Sequence, residues 1–194
     1  MTTVSGTDLL DRILDAAFAE FTRYGLRRTS MEDVARRAGV GRATVYRKVP
    51  TKDALIAAVV LREGHRFMDA FAEVVSGYGT IADQIVEGWV FSLAHMRNHP
   101  LFSGLLFSDP EALLPFLTVD SGVLLAACRE FVAEFIRAAQ TRGEVSPTLE
   151  PEPVAELMVR IVISYTINPE SCLDLSDEHR TRDFARRHLV PLIR

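Results

Sequence analysis

Cysteine is scarce in this sequence, and its scarcity argues against two kinds of stabilised fold. The 194 residues include only two cysteines, Cys128 and Cys172, and no local pattern pairs them. A disulfide framework or a zinc site would need more cysteines at close spacing. His95 and His99 are four residues apart, which suits a metal on one helix face, but no neighbouring carboxylate or thiol completes a ligand set. We therefore predict no metal and no cofactor.

Long hydrophobic runs are also absent. Although 48% of the residues are hydrophobic, no uninterrupted apolar stretch approaches the roughly 18 residues that span a bilayer. Residues 1–7 lack the basic region and the apolar core of a secretory signal, and we interpret them as a short polar tail. The sequence thus predicts a cytoplasmic protein that has no membrane partner.

Positive charge is in deficit overall, but the deficit is unevenly distributed along the chain. The formal net charge is −4. Residues 1–62 carry 11 basic and 7 acidic side chains, a net charge of +4, whereas residues 63–194 carry 11 and 19, a net charge of −8. Both lysines of the chain, Lys48 and Lys52, lie in the basic part. A basic segment on an acidic body indicates that a polyanion binds the N-terminal part alone.

Hydrophobic residues recur at helical spacing along almost the whole chain, and no bounded segment alternates with the period of a strand. We therefore predict an all-α fold. Its first helix ends at Gly25 and has an apolar face made of Leu10, Ile13, Leu14, Ala17, Phe21 and Tyr24. A capping box can start the second helix in two ways, through Thr29 with Glu32 or through Ser30 with Asp33.

Proline and glycine divide the rest of the chain into further helices. Thr51 caps a long fourth helix, a fifth begins near Ile81, and new helices start at Pro100 and at Asp109. Another long helix, ended by Gly143, has an apolar face made of Leu124, Cys128, Phe131, Phe135 and Ala138.

A helix-turn-helix is predicted around Gly39-Val40-Gly41. A short helix before this turn places Ala35 where two helices would cross closely, and Val45 fills the space between them. The turn is tight, which favours a residue without a Cβ at Gly39. The helix after it, from about Arg42 to Lys48, presents donors and amphipathic side chains that suit base edges and phosphates in the major groove of DNA.

This region resembles the signature of the TetR family of transcriptional regulators. The resemblance rests on Thr29, Ala35, Gly39, Thr44, Tyr46 and Lys52 and covers about residues 8–66. Val49 departs from the family pattern, which has a bulky aromatic residue at this position. We therefore expect the packing of the third helix on the core to be weaker, at a cost of about 1–2 kcal/mol in stability. The resemblance implies a DNA-binding domain over residues 8–66 and a helical effector-binding and dimerisation domain over residues 67–194.

The predicted DNA contacts lie on and around the third helix. Arg42, Ala43, Thr44 and Arg47 are the candidates for base edges. Tyr46 and Lys52 are expected at phosphates, and the positive end of the fourth helix assists Lys52. The full predicted set is Thr29, Arg42, Ala43, Thr44, Tyr46, Arg47, Lys48 and Lys52.

The last two helices predict a homodimer. The first of them is apolar around most of its circumference and stops near Pro169, and the second, capped by Ser176, runs to about Leu192. A helix that is apolar on all sides is central or shared between subunits. We interpret the pair as half of a four-helix bundle across a two-fold axis, with an interface of Val154, Met158, Ile161, Val162, Phe184 and Leu189. The alternative is burial inside a monomer.

An effector pocket is the other prediction for this part of the chain. Core packing alone explains most of the aromatic residues, but a ligand cavity needs apolar walls and a few polar groups. The candidates are Trp89, His95, Met96, His99, Phe102, Phe107, Phe131, Phe135 and Tyr165.

The sequence therefore predicts a DNA-binding transcriptional regulator, a repressor released from a palindromic operator by a small apolar or amphipathic effector. Activation in place of repression stays open, since no residue marks the sign of regulation. Two rival hypotheses are a helical ligand-binding module that does not recognise DNA and an all-α enzyme. The enzyme has little support, because the chain has no glycine-rich phosphate loop, no Gly-x-Ser-x-Gly elbow and no His-Glu-x-x-His motif.

Overall fold

The computed structural model describes residues 6–168 and 170–194, and these residues form ten α-helices and no strand. The predicted all-α fold is therefore confirmed. The helices are α1 (Gly6–Tyr24), α2 (Met31–Ala38), α3 (Arg42–Lys48), α4 (Lys52–Val75), α5 (Ile81–Asn98), α6 (Pro100–Ser108), α7 (Pro110–Leu117), α8 (Gly122–Thr141), α9 (Pro151–Ile167) and α10 (Glu178–Phe184). A π-helical turn, Ala185–Leu189, and a 3-10 turn, Val190–Ile193, continue α10.

Two predictions fall partly or wholly outside the described residues. They are the polar tail, of which residues 1–5 are not described, and the stop at Pro169. The described part of the tail, Gly6 and Thr7, already belongs to α1.

The chain divides into two compact units. The first combines the described residues up to Glu63 with His99–Val119, and the second combines Gly64–Asn98 with Asp120–Arg194. Helix α4 contributes its N-terminal half to the first unit and its C-terminal half to the second. The prediction that DNA binding and effector binding divide near residue 66 is a functional one and stays a prediction.

The first unit has a core in which α1 contributes one apolar face. Ile13, Leu14, Ala17 and Phe21 are buried, as their spacing predicted. Tyr24 is 48% exposed, so the prediction that it belongs to the buried face was wrong. The helix ends at Tyr24, and the chain turns away at Gly25, which has φ +85°. Other buried side chains of this unit come from later helices, and they include Val34, Val45, Leu55, Val59, Leu101, Leu105 and Leu113.

Two hydrophobic clusters can be traced among the described residues of the second unit. One is centred on α8 and α9 and contains Ala133, Ile136, Ala139, Ala155 and Met158. The other packs α5 against the C-terminal segment and contains Val86, Trp89, Leu93, Ala185 and Leu189.

Two details of the predicted helices were wrong. Ala138 was predicted on the apolar face of α8 but is exposed. The buried face near the end of this helix consists of Ala133, Ile136 and Ala139 instead. The residue that caps α10 is Asp177, whose carboxylate accepts from the backbone N–H groups of His179 and Arg180. Ser176 instead donates its hydroxyl hydrogen to Asp174.

In the part of the chain that the structure describes, no single helix has the length and apolar character needed to cross a bilayer.

Candidate nucleic-acid interface

The turn between α2 and α3 has the left-handed backbone that the sequence predicted for Gly39. This residue has φ 65° and ψ 36°, and its N–H donates to the carbonyl oxygen of Arg36 at 3.2 Å. The N–H of Val40 donates to the carbonyl oxygen of Ala35 at 3.0 Å. Left-handed backbone is strained for residues that carry a Cβ, which is why glycine suits this position. Gly41 then returns to extended backbone and begins α3.

Helix α2 begins with a capping box, and the structure selects Ser30 with Asp33 from the two predicted pairs. The Ser30 hydroxyl accepts from the Asp33 N–H at 3.2 Å, and the Asp33 carboxylate accepts from the Ser30 N–H at 3.0 Å and from its hydroxyl at 2.6 Å. These hydrogen bonds from Ser30, with a further one from Arg36, lower the pKa of the Asp33 carboxyl from 3.8 to about 2.

Thr29 does not face a DNA-binding surface. Its side chain is 3% exposed, and its hydroxyl donates to the carbonyl oxygen of Gly25 at 2.8 Å. The prediction that Thr29 contacts DNA is therefore wrong. The residue closes the turn between α1 and α2 and so supports the interface from inside.

Helix α2 is fixed to α1 by two arginines. Nη1 of Arg37 lies 3.0 Å from Oε1 of Glu20, which is largely buried, and Nη2 of Arg12 donates to the carbonyl oxygen of Ala38 at 2.8 Å. The second contact satisfies a carbonyl group at the end of α2 that has no partner within the helix. Both contacts hold the first helix of the motif in place.

Helix α3 has a buried side and an exposed side. Val45 is fully buried and Val49 nearly so, which shows that the smaller residue at Val49 still packs against the core. The other positions of α3 are the predicted contact residues: Arg42, Ala43, Arg47 and Lys48 are exposed, and Thr44 and Tyr46 are half-buried. For Arg47 and Lys48, the structure gives no ion pair within the described residues. A seven-residue helix is thus anchored by its apolar side and presents three cations outward.

Arg42 makes contacts that sequence reasoning missed. Its Nη1 lies 2.6 Å from Oε1 of Glu32 on α2, and its guanidinium carbon lies 5.3 Å from the centre of the Tyr46 ring. A hydrogen bond with Tyr46 and the negative charge of Glu32 raise the pKa of Arg42. Tyr46 lies one helical turn after Arg42, a spacing that could have predicted their contact. Glu32 comes from the other helix, and no local spacing predicts its position.

Lys52 lies at the start of α4, as predicted. Its Nζ donates to the carbonyl oxygen of Arg27 at 3.2 Å, so the ammonium group is held beside the turn that precedes α2. The hydroxyl of Thr51 accepts from the N–H of Ala54 at 3.1 Å, which confirms that Thr51 caps this helix.

The predicted effector residues fall into separate clusters. In the second unit, Phe131 and Phe135 pack against Phe71, whose ring also meets Phe91, and His95 contacts Phe67 and Phe91. Half-buried Met96 lies on the same helix as His95. Trp89 and Tyr165 belong to a second group with Phe184, with the Trp89 ring stacked on Phe184 at 5.8 Å.

Three of the predicted effector residues belong to the first unit. His99 lies there with Phe18, Phe102 and the buried carboxylate of Glu63, at 3.4 Å between Nε2 and Oε2. Phe107 is 86% exposed, so its prediction as a pocket residue is wrong: it lies on the outer side of α6, away from Leu101 and Leu105. No group of three or more His, Cys, Asp or Glu residues within the described ranges is arranged to hold a metal ion.

Two family models match the chain, and together they cover the helix-turn-helix and most of the rest. Residues 13–59 match "Bacterial regulatory proteins, tetR family", and residues 81–186 match "Bacterial Tetracyclin repressor, C-terminal domain". The chain belongs to the TetR family. It is a DNA-binding transcriptional regulator and not an enzyme, as the sequence predicted.

Known regulators with TetR-like sequences match nearly the whole chain. The transcriptional regulator UidR of Escherichia coli K12 is 26% identical over 184 residues, which cover 90% of this chain and 86% of UidR. The regulator AlkX of Mycobacterium tuberculosis is 26% identical over 189 residues, which cover 94% of this chain and 87% of AlkX.

Solved TetR-family structures share the fold. The repressor AlkX from Dietzia sp. strain DQ12-45-1b superposes with a TM-score of 0.73 at 20% identity and covers 94% of this chain and 96% of its own. GusR of Salmonella enterica gives 0.68 at 20% identity, with 98% of both chains covered.

TetR-family regulators act as dimers, and the predicted interface residues can be located in this chain. Val154, Ile161, Val162 and Phe184 are half-buried and pack on the two clusters of the second unit. Met158 and Leu189 are buried inside those clusters, so their prediction as interface residues is wrong. On α9 the outward stripe consists of Pro153, Leu157, Arg160 and Ser164, of which Leu157 is 45% exposed.

Proposed function

We propose that this regulator is a homodimeric repressor that binds a palindromic operator through α3 and is released by a small apolar or amphipathic effector. The observation that carries the proposal is that α3 buries Val45 fully while it exposes Arg42, Arg47 and Lys48. A helix of this width fits the major groove of B-form DNA.

The proposed contacts divide into two kinds. Arg42, Ala43, Thr44 and Arg47 face base edges, where arginine can donate two hydrogen bonds to one guanine. Tyr46, Lys48 and Lys52 contact phosphates, which position the helix without reading the sequence. Thr29 is left out because it is buried.

The proposed dimer uses the outward stripe of α9 and the exposed side of the C-terminal segment. Leu157 lies at the centre of that stripe and is a large apolar side chain that the protomer leaves partly uncovered. A two-fold axis would place two copies of α3 on half-sites about 34 Å apart, one turn of DNA, and so predicts a palindromic operator.

The proposed effector site is the aromatic cluster of Phe67, Phe71, Phe91, His95, Phe131 and Phe135 in the second unit. Its rings provide apolar contact area, and His95 provides a polar group that can orient a ligand. One structural neighbour is a repressor implicated in the biodegradation of n-alkanes, which is in keeping with an apolar effector. The effector must prefer the conformer that does not bind DNA, by about 3 kcal/mol for a hundredfold loss of affinity.

Fluorescence anisotropy on DNA from upstream of the regulator's own gene tests the proposal. We expect one upstream fragment to bind more tightly than a shuffled fragment of equal composition, with affinity that falls steeply as salt rises because phosphate contacts release counterions. A protein that binds no upstream fragment even at low salt would instead be the ligand-binding module without DNA recognition.

Deleting the gene tests the sign of regulation. It should raise transcription from the bound promoter; a decrease would identify an activator.

A further inference from the structure

Arg42 is held from two sides although it lies at the exposed start of α3. Its Nη1 is 2.6 Å from the carboxylate of Glu32 on the preceding helix, and its guanidinium lies over the ring of Tyr46. Both partners belong to the first unit. An arginine at the surface ordinarily loses much rotamer freedom when it binds. Two contacts in the free protein reduce that loss, because they restrict where the guanidinium points before DNA arrives.

The contacts leave part of the guanidinium available. Arginine presents five N–H donors in one plane, and the contact with Glu32 involves the Nη1 end. The hydrogen bond with Tyr46 takes a further donor, and the Tyr46 ring lies beside the guanidinium. A remaining edge can still donate to O6 and N7 of a guanine, the arginine contact that most often specifies a base.

The same carboxylate weakens binding that does not depend on sequence. Phosphates attract arginine mainly through charge, and Glu32 already balances the charge of Arg42 at 2.6 Å. The carboxylate also lies beside the surface that approaches DNA, being 45% exposed itself, so it repels the backbone. A hydrogen-bonded base edge carries no net charge and is not repelled in this way.

We propose that Glu32 is a specificity-determining residue, which acts by orienting Arg42 toward a guanine in the major groove and by reducing the attraction of Arg42 for phosphates. This inference rests on the proposed DNA-binding role of α3. It adds that an acidic residue outside the recognition helix raises the ratio of operator affinity to non-specific affinity.

The test compares Glu32→Gln with the wild type on operator DNA and on shuffled DNA across a salt series. Glutamine keeps the size of the side chain and removes its charge. We expect Glu32→Gln to bind shuffled DNA more tightly, with a salt dependence steeper by about one phosphate contact. The ratio of operator to shuffled affinity should fall by about tenfold, the size of one lost base discrimination.

Asp53→Asn provides a matched control, because Asp53 is an exposed carboxylate in the first turn of α4. Its removal changes the charge of the same unit equally, and the affinities for both DNAs should rise together while their ratio stays constant. Glu32→Gln should also have no further effect on the ratio when it is combined with Arg42→Ala, because Glu32 acts through Arg42.

Two results would overturn the inference. One is a wild-type preference for the operator that Glu32→Gln leaves unchanged. The other is that Glu32→Gln lowers the preference for the operator equally in the wild type and in the Arg42→Ala variant, since Glu32 would then act independently of Arg42. A wild type with no preference for any upstream fragment would overturn the proposed function as well, and the wild-type measurement therefore separates the two failures.

Discussion

The carboxylate of Asp109 lies against the backbone of Gly25 so closely that an added Cβ there would collide with Oδ2. Gly25 also has φ +85°, which side-chain-bearing residues rarely adopt. The junction of α6 and α7 therefore packs directly on the turn that follows α1. The ion pair of Arg27 with Glu111 joins the same two places.

Gly25→Ala should destabilise the protein more than backbone strain alone explains. The left-handed backbone costs about 1–2 kcal/mol, and moving the carboxylate at the end of the Asp109 side chain adds a smaller cost. Urea unfolding measures the sum. Gly143→Ala is the control, because Gly143 has φ +76° with nothing near its missing Cβ and should lose only the first amount. Equal losses at both glycines would show that Asp109 yields without cost.

The capping box of α2 should make stability depend on pH in acid. The folded pKa of Asp33, about 2, is below its ordinary value of 3.8. Its charged form therefore stabilises the fold fully above about pH 4, and this contribution disappears as pH falls through 2. The difference in Tm between the wild type and Asp33→Asn should shrink across that window.

Ser30→Ala checks the physical cause of this pKa. Hydrogen bonds from Ser30 are the largest cause of the shift, so the variant should raise the pKa of Asp33 toward 3.8, as measured by NMR of its carboxyl carbon. An unchanged pKa would assign the shift to another group.

Tyr46→Phe should weaken binding to all DNA sequences alike. The substitution keeps the ring beside Arg42 and removes a hydroxyl that hydrogen-bonds with Arg42 and is proposed to donate to a phosphate. We expect a loss of about 1 kcal/mol on operator and on shuffled DNA. A loss confined to the operator would mean that the hydroxyl contacts a base or positions Arg42.

The dimer proposal predicts different outcomes for the same substitution at two neighbouring residues, Leu157 and Met158. Leu157→Glu places a charge on the outward side of α9 and should produce a folded monomer in sedimentation. Met158→Glu places a charge in a buried cluster and should unfold the protein, since buried unpaired charges are very costly. A Leu157→Glu protein that still sediments as a dimer would contradict the proposed interface. Truncation after Asn168 is a poorer test, because it removes Phe184 from beside Trp89 and so damages the protomer itself.

The sequence predicted best where one local pattern decides the structure. Gly39 and the Ser30 and Asp33 box could be identified because turns and caps depend on a few adjacent residues. The inward position of Val45 followed from the short spacing of the motif in the same way.

Predictions failed where burial depends on distant parts of the chain. Met158, Leu189 and Phe107 are all apolar, and spacing could not tell which one the protomer covers and which it leaves exposed. Thr29 was misplaced for a different reason: its hydroxyl contacts the backbone of Gly25, a role that the family resemblance does not distinguish from DNA contact. Glu32 was missed because its partner lies on another helix.

Guanine methylation interference on the bound upstream fragment tests the central claim most directly, since N7 methylation blocks contacts in the major groove. If α3 reads DNA, interference should appear at two symmetric sets of guanines about one helical turn apart, and Arg47→Ala should abolish it at one guanine of each set. The account would be contradicted if N7 methylation interfered with binding at no guanine. It would also be contradicted if Arg47→Ala left the interference unchanged at every guanine of both sets.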